Sequence, residues 1–213
     1  MKITILVDNL ESWFMPYAEQ LVSDLAKEHD VVLINNHKDL KKGNCAFFLS
    51  CIKKVPKEYL ALNSHNIVIH PSDLPKGRGW SPLTWQILEG KNKIPMTLFE
   101  ATEHVDEGDF YLKDVITFEG HELNDELKNA QGKKTIEMAL KFISNYDKFS
   151  ANKQNGEISY YSRRTKKDSR LDINKSIKSQ FNNLRVADNE RYPSFFEYME
   201  FKYILKIDKK VNT

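Results

Sequence analysis

The run Ile3-Thr4-Ile5-Leu6-Val7 constrains this chain more than any other feature, because it is almost unbroken by polar residues. A strand with one wet face alternates apolar and polar side chains, whereas a continuous apolar run belongs to a strand covered on both sides. Asp8-Asn9 ends the run, and Tyr17, Leu21 and Leu25 then recur at helical spacing through Lys27. Further strand-like pieces follow at Val31 to Ile34, Ala46 to Leu49 and Ile67 to Ile69, the last closed by His70-Pro71. Ser81-Pro82 reads as an N-cap with proline at the first helical position, ahead of the apolar stripe Leu83, Ile87 and Leu88. Met96 to Phe99 and Phe110 to Leu112 continue the sheet, and Lys133 to Asn145 forms an amphipathic helix.

Strands alternating with helices predict an α/β fold: a Rossmann-like open, mostly parallel sheet with helices on both faces. Ligands of such sheets lie beyond the carboxyl ends of the strands, and His70 stands at such an end. Polar residues and glycine around 148–157 mark a break. The expected organisation is therefore a catalytic domain over 1–150 and a small appendage over 151–213, the latter for acceptor contacts or dimerisation. Within the appendage we expect a strand at Ile158 to Tyr161, a helix near 173–184 and an aromatic end. The six aromatic residues Tyr192, Phe195, Phe196, Tyr198, Phe201 and Tyr203 predict a homodimer surface or a packed hairpin.

Lys+Arg total 32 against Asp+Glu 30, so the chain lacks the positive excess of a nucleic-acid binder and nucleic acid is not an expected partner. Cys45 and Cys51 have neither metal nor pairing spacing and read as buried free thiols, with no metal site expected. The first residues lead straight into a strand without the features of a secretion signal, and no apolar stretch approaches the roughly 18 residues of a membrane span. The expected setting is cytoplasmic, away from membranes.

The densest chemical signal is the stretch from His70 through Ser72, Leu74-Pro75 and Gly79 to Pro82, followed by Met96-Thr97 and then Asp106-Glu107-Gly108-Asp109. Here the sequence resembles the folate-dependent formyltransferases, whose pattern H-x-S-x-L-P-x-x-x-G, V-T or M-T, and D-x-G-D is met in that order. The resemblance is strong over about residues 65–115 and implies a catalytic pair of His70 and Asp106, with N10-formyltetrahydrofolate as co-substrate. The residue types suit the chemistry. Transfer of a formyl group to an amine creates a negative oxygen and requires protons to move, tasks an imidazole near neutral pH performs well. A carboxylate beside it would orient the ring. The resemblance also places Ile52, Lys54, Ala101, Thr102 and Val105 along the pterin.

One position departs from the family. Where relatives carry an asparagine two residues before the histidine, this chain has Val68. An oxyanion donor of that kind contributes roughly 2.7–4 kcal/mol of transition-state stabilisation. Asn66 shares the strand face but sits ~6.6 Å further back, too far for direct replacement.

For the acceptor, the loop Asp8 to Tyr17 and the tail from Tyr160 are similar to small bacterial sugar N-formyltransferases. Asn9 and Trp13 would touch the acceptor, or else form a helix entry with a buried Trp. Lys76 and Arg78, flanked by glycines before a helix, would hold a phosphate, or else sit in a solvated loop. Trp80 would stack on a ring or simply cover the helix. The expected acceptor is a nucleotide-linked amino-dideoxy sugar used in surface glycans. The tail leaves little room for the tRNA-binding domain of methionyl-tRNA enzymes, and Asp8 to Trp13 lacks the glycines of a glycinamide-ribonucleotide loop. Alternatives are a formyltetrahydrofolate hydrolase and a silent nucleotide-sugar and folate binding module.

Overall fold

The apolar runs of the sequence become adjacent strands. The computed structural model describes residues 1–210. Along the chain lie β1 (Lys2–Leu6), α1 (Met15–Leu25), β2 (Asp30–Ile34), β3 (Gly43–Phe48), α2 (Lys57–Leu60) and β4 (Asn63–His70). Then come the short β5 (Arg78–Gly79), α3 (Pro82–Leu88), β6 (Lys93–Glu100), β7 (Phe110–Thr117) and the long α4 (Asn124–Ser144). Six strands form one sheet in the order β2-β1-β3-β4-β6-β7. The first four are parallel, and β6 and β7 add antiparallel strands at the far side. The expected mostly parallel α/β architecture is thus what the chain adopts.

Burial of β1 from Ile3 to Leu6 on both faces follows from two cores. Ile3 and Ile5 face the larger one, with Phe47, Ile67 and residues of α1, α3 and α4. Leu6 faces a smaller one with Ile34, Ala46, Phe48 and Val55, covered by the 50–62 loop and the single turn of α2. Among the described residues, no helix is long and apolar enough to cross a membrane.

Three local expectations are corrected. Helix α4 begins at Asn124, nine positions before the expected start at Lys133, because its polar first turns hide the apolar stripe, and Glu126 caps the Leu123 N–H at 2.8 Å. The helix expected near 173–184 shrinks to α5 (Phe181–Arg185) after a 3-10 turn at Lys178–Gln180. Asp172 and Ser176 there bond the N–H groups of Asn174 and Ser179, which competes with helix, and Ile177 is left exposed. Of the expected strand 158–161, only β8 (Tyr160–Tyr161) forms, paired in parallel with β5. Ser81 precedes α3 as expected but adopts a left-handed conformation (φ 48°) and makes no side-chain cap bond. The last described elements form a hairpin of β9 (Ser194–Tyr198) and β10 (Phe201–Leu205), with Phe196 stacked on Tyr203 and Phe201 exposed.

Arg185 fastens α5 to the sheet domain. Its guanidinium, 1% exposed, reaches Glu122 at 3.1 Å, Asn92 at 2.9 Å, Asn182 at 3.1 Å and the Glu122 carbonyl at 3.2 Å. Replacing Arg185 with leucine should destabilise the protein by about 3 kcal/mol, the low end for breaking a buried pair. The low end applies because Glu122 keeps the N–H groups of Glu119 and Gly120. Thermal denaturation should show a melting point about 6–12 °C lower. An unchanged melting point would mean the pair carries no stability.

Candidate active site

His70 is the last residue of β4, and Pro71 stops the strand there. The turn that follows is tied down from two sides. The buried Gln86 side chain donates to the Pro71 carbonyl at 2.7 Å, and Thr97 Oγ1 donates to the Ser72 carbonyl at 2.7 Å. This explains why M-T in β6 and the helix after the loop belong to the same pattern as the histidine. Asp106 sits in the loop between β6 and β7 at φ 58°, a left-handed conformation unusual for a residue with a Cβ.

The two residues meet. His70 Nε2 lies 3.9 Å from Asp106 Oδ2, and each side chain is 10% exposed. Both line one cavity of about 580 Å³ at the carboxyl ends of the parallel strands. The direct orienting bond expected from Asp106 is not what holds the ring. His70 Nε2 bonds the Gly77 carbonyl at 2.9 Å, and since a carbonyl only accepts, this nitrogen carries the hydrogen. Asp106 Oδ2 instead accepts the Gly79 N–H at 2.8 Å. The loop 77–79 therefore aligns both groups, a role its glycines did not advertise. At Gly79 (φ +95°) a Cβ would meet the Tyr161 carbonyl at 2.6 Å, so only glycine permits the β5–β8 contact.

Of the other residues singled out, Ile52, Lys54, Ala101, Thr102 and Val105 all line the cavity, as do Trp13 and Trp80. Val68 lines it too and brings no hydrogen-bond donor to that part of the strand. Asn66 does not line the cavity, and its Nδ2 donates to the Leu60 carbonyl at 2.9 Å. The deep part is apolar, with Leu49, Leu60, Val68 and Phe99, and offers room for a flat ring system.

Three expected contacts fail to reach the cavity wall. Asn9 turns its Oδ1 to the Glu11 N–H at 3.1 Å, closing a local turn. Lys76 points to solvent and pairs with Glu157 at 3.7 Å. Arg78 is buried on the far side of the loop, with its Nη1 2.8 Å from Glu107, because pairing of β5 with β8 fixes the direction of its side chain. Helix α3 has seven residues and its loop presents no basic side chain to the cavity.

Further residues shape the cavity. Asp8 accepts the N–H groups of Ile52 (2.9 and 3.0 Å) and Lys53 (2.6 Å), fixing the loop that edges the cavity. A carboxylate directly after the first strand was the available signal. Burial pushes the Cys51 thiol up to about 12, so this cavity-lining sulfur stays protonated and is no nucleophile. The tail supplies a cationic wall of Arg163, Arg164 and Arg191 beside Tyr192. Arg163 lies over the Trp80 ring, 4.9 Å from its centroid. Arg164 bonds the Val186 carbonyl at 3.3 Å and Ser169 Oγ at 3.1 Å, both neutral oxygens. Burial lowers its pKa, and its Nε has no partner among the described residues. Burial would raise the nearby Asp188 carboxyl, but the Arg191 N–H and Lys128 hold it at about 2.

Comparison with known proteins gives a consistent picture. The model of the formyl transferase family matches residues 34–142, just over half of the chain. A methionyl-tRNA formyltransferase of Rickettsia prowazekii is 33% identical over 119 residues, covering 55% of this chain and 39% of that protein. The chain thus spans less than half the length of that relative. Among solved structures, a methionyl-tRNA formyltransferase from Clostridium thermocellum superimposes with a TM-score of 0.82 at 21% identity, covering 99% of this chain and 94% of that one. A 4-N formyltransferase from Francisella tularensis does so with a TM-score of 0.74 at 21% identity, covering 99% and 98%.

Proposed function

Because the chain belongs to the formyl transferase family, we propose that it moves a formyl group from N10-formyltetrahydrofolate to the amine of a nucleotide-linked amino-dideoxy sugar. The observation that carries this reading is the meeting of His70 and Asp106 in a cavity whose outer wall is cationic and aromatic. The apolar floor of Leu49, Leu60, Val68 and Phe99 fits a pterin, with Ile52, Lys54 and Ala101, Thr102 and Val105 along its edges. The donor supplies the activated one-carbon group. With Nε2–H held by Gly77, the free Nδ1 of His70 takes the amine's proton as the amine adds to the formyl carbon. As imidazolium, His70 then donates to the developing oxyanion and returns the proton to N10 as the C–N10 bond breaks and tetrahydrofolate leaves, while Asp106 stabilises the ring in its charged form.

Arg163 and Arg164 make no ion pair among the described residues, which suits them to the phosphates of a sugar nucleotide. Trp13 and Trp80 offer faces for a base or sugar ring. In this reading the appendage supplies the acceptor wall through Arg163 to Tyr192, and Asn9, Lys76 and Arg78 have no part in binding.

The names of the relatives favour a second reading, in which the acceptor is methionyl-tRNA. Purified protein with N10-formyltetrahydrofolate should be offered dTDP-4-amino-4,6-dideoxyglucose and methionyl-tRNA in parallel. Mass spectrometry should show the sugar nucleotide heavier by CO and the tRNA unchanged. Formylation of the tRNA alone would replace the first reading with the second. Formate release without either acceptor would point to a hydrolase.

A further inference from the structure

Gln154 lies in the segment that the sequence reads as a break between domains, among exposed neighbours, yet it is half-buried and its amide is fully used. Its Nε2 donates to the Asp106 carbonyl at 3.0 Å and to the Gly108 carbonyl at 2.8 Å. Its Oε1 accepts from Arg78 Nη2 at 2.9 Å. The neighbour of Arg78, Gly79, gives its N–H to the Asp106 carboxylate. These contacts close a ring from Arg78 through Gln154 to the Asp106 backbone, and from the Asp106 side chain back to residue 79. The segment is itself anchored, since Asn152 exchanges two backbone bonds of 2.9 Å with Phe110 and Lys153 pairs with Asp109 at 2.9 Å.

From this geometry we infer that Gln154 is a positioning residue: a clamp that holds the Asp106 turn so that its carboxylate stays beside His70. The left-handed backbone of Asp106 (φ 58°) gives the clamp its purpose. Such a conformation persists only where surrounding bonds over-determine it. Two carbonyls on either side of the turn, at 106 and 108, are fixed by one amide. Gln154 does not line the cavity, so it acts through Asp106 and touches neither substrate. The inference rests on the proposed role of Asp106.

The Gly79 amide proton reports the position of the Asp106 carboxylate without any substrate, so NMR of the whole chain tests the clamp directly. Asp106→Ala should move this resonance upfield as the bond is lost, and Gln154→Ala should move it in the same sense. Gln154→Glu is the sharper variant. It has the same shape and keeps the acceptor for Arg78, but sets oxygens against both carbonyls, so it too should move the resonance. With N10-formyltetrahydrofolate and dTDP-4-amino-4,6-dideoxyglucose, both Gln154 variants should lose roughly 10- to 100-fold in kcat with KM unchanged, the signature of a misplaced catalytic group. In the Asp106→Ala background, Gln154→Ala should cost nothing further.

The clamp is overturned if Asp106→Ala shifts Gly79 while both Gln154 variants leave it in place, a result that spares the role of Asp106. It is also overturned if Gln154→Glu behaves as wild type, or if the losses multiply in the double variant. An Asp106→Ala protein with unchanged Gly79 resonance and unchanged kcat would instead sink the reading of Asp106 itself, and the clamp with it.

Discussion

Replacement of His70 by alanine is expected to lower kcat by about 10²–10⁴-fold, the range for losing a positioned proton-transfer group. The side chain is 10% exposed and its one hydrogen bond is to the Gly77 carbonyl, so the structural cost should be about 1 kcal/mol. Activity and stability therefore separate at this position. The KM values should change little, because the apolar floor and the arginine wall are built from other residues. Steady-state kinetics with both substrates, alongside a thermal melt, would check this. Full activity in a folded His70→Ala protein would remove the basis of the proposed chemistry. The presence of Val68 sharpens the expectation, since no neighbouring amide on β4 stands ready to hold the developing charge.

Gly108→Ala should cost both stability and turnover. Gly108 is buried, and a Cβ there would overlap the Glu100 carbonyl oxygen, which belongs to the backbone of β6 and has little freedom to move. The Glu100 N–H is already engaged with the Asp109 carbonyl at 2.9 Å, so the strand and the turn cannot part without breaking that bond. Overpacking of this kind costs about 1–3 kcal/mol and sometimes more. The displaced turn carries Asp106 with it, so kcat should fall together with the melting temperature. Calorimetry and the formylation assay on the same preparation would measure both. If the alanine protein melts and turns over like wild type, the close approach of the turn to β6 has no functional weight. This also gives the glycine of D-x-G-D a physical reason: it is the residue small enough to let the turn lie against the strand.

The pairing of His70 with Asp106 was legible because each stands at a fixed place in a recognisable order of residues, one closing a β-branched run and the other opening D-x-G-D. The parallel core was legible for a similar reason. Burial of β1 on both faces leaves its mark in four consecutive buried residues, Ile3 to Leu6. The charges of the loop before α3 were not legible. Lys76 and Arg78 read as one phosphate-binding pair, but neither reaches the cavity, and Arg78 became a buried brace. Two-residue strands have no periodicity to reveal which way their side chains point. That direction was set by Tyr160 and Tyr161, which lie 82 positions away in the chain and pair with Arg78 and Gly79.

The amino-acid sequence by itself determined the α/β sheet, the end of it at which the cavity opens, and the two side chains that meet there, since hydrophobic period and local turn chemistry are written in neighbouring residues. Only the tertiary structure decided how those side chains are held: by the carbonyl of Gly77, the N–H of Gly79 and, on our inference, the amide of Gln154. Backbone groups are the same at every position, so which of them will face a catalytic side chain depends on how distant segments pack.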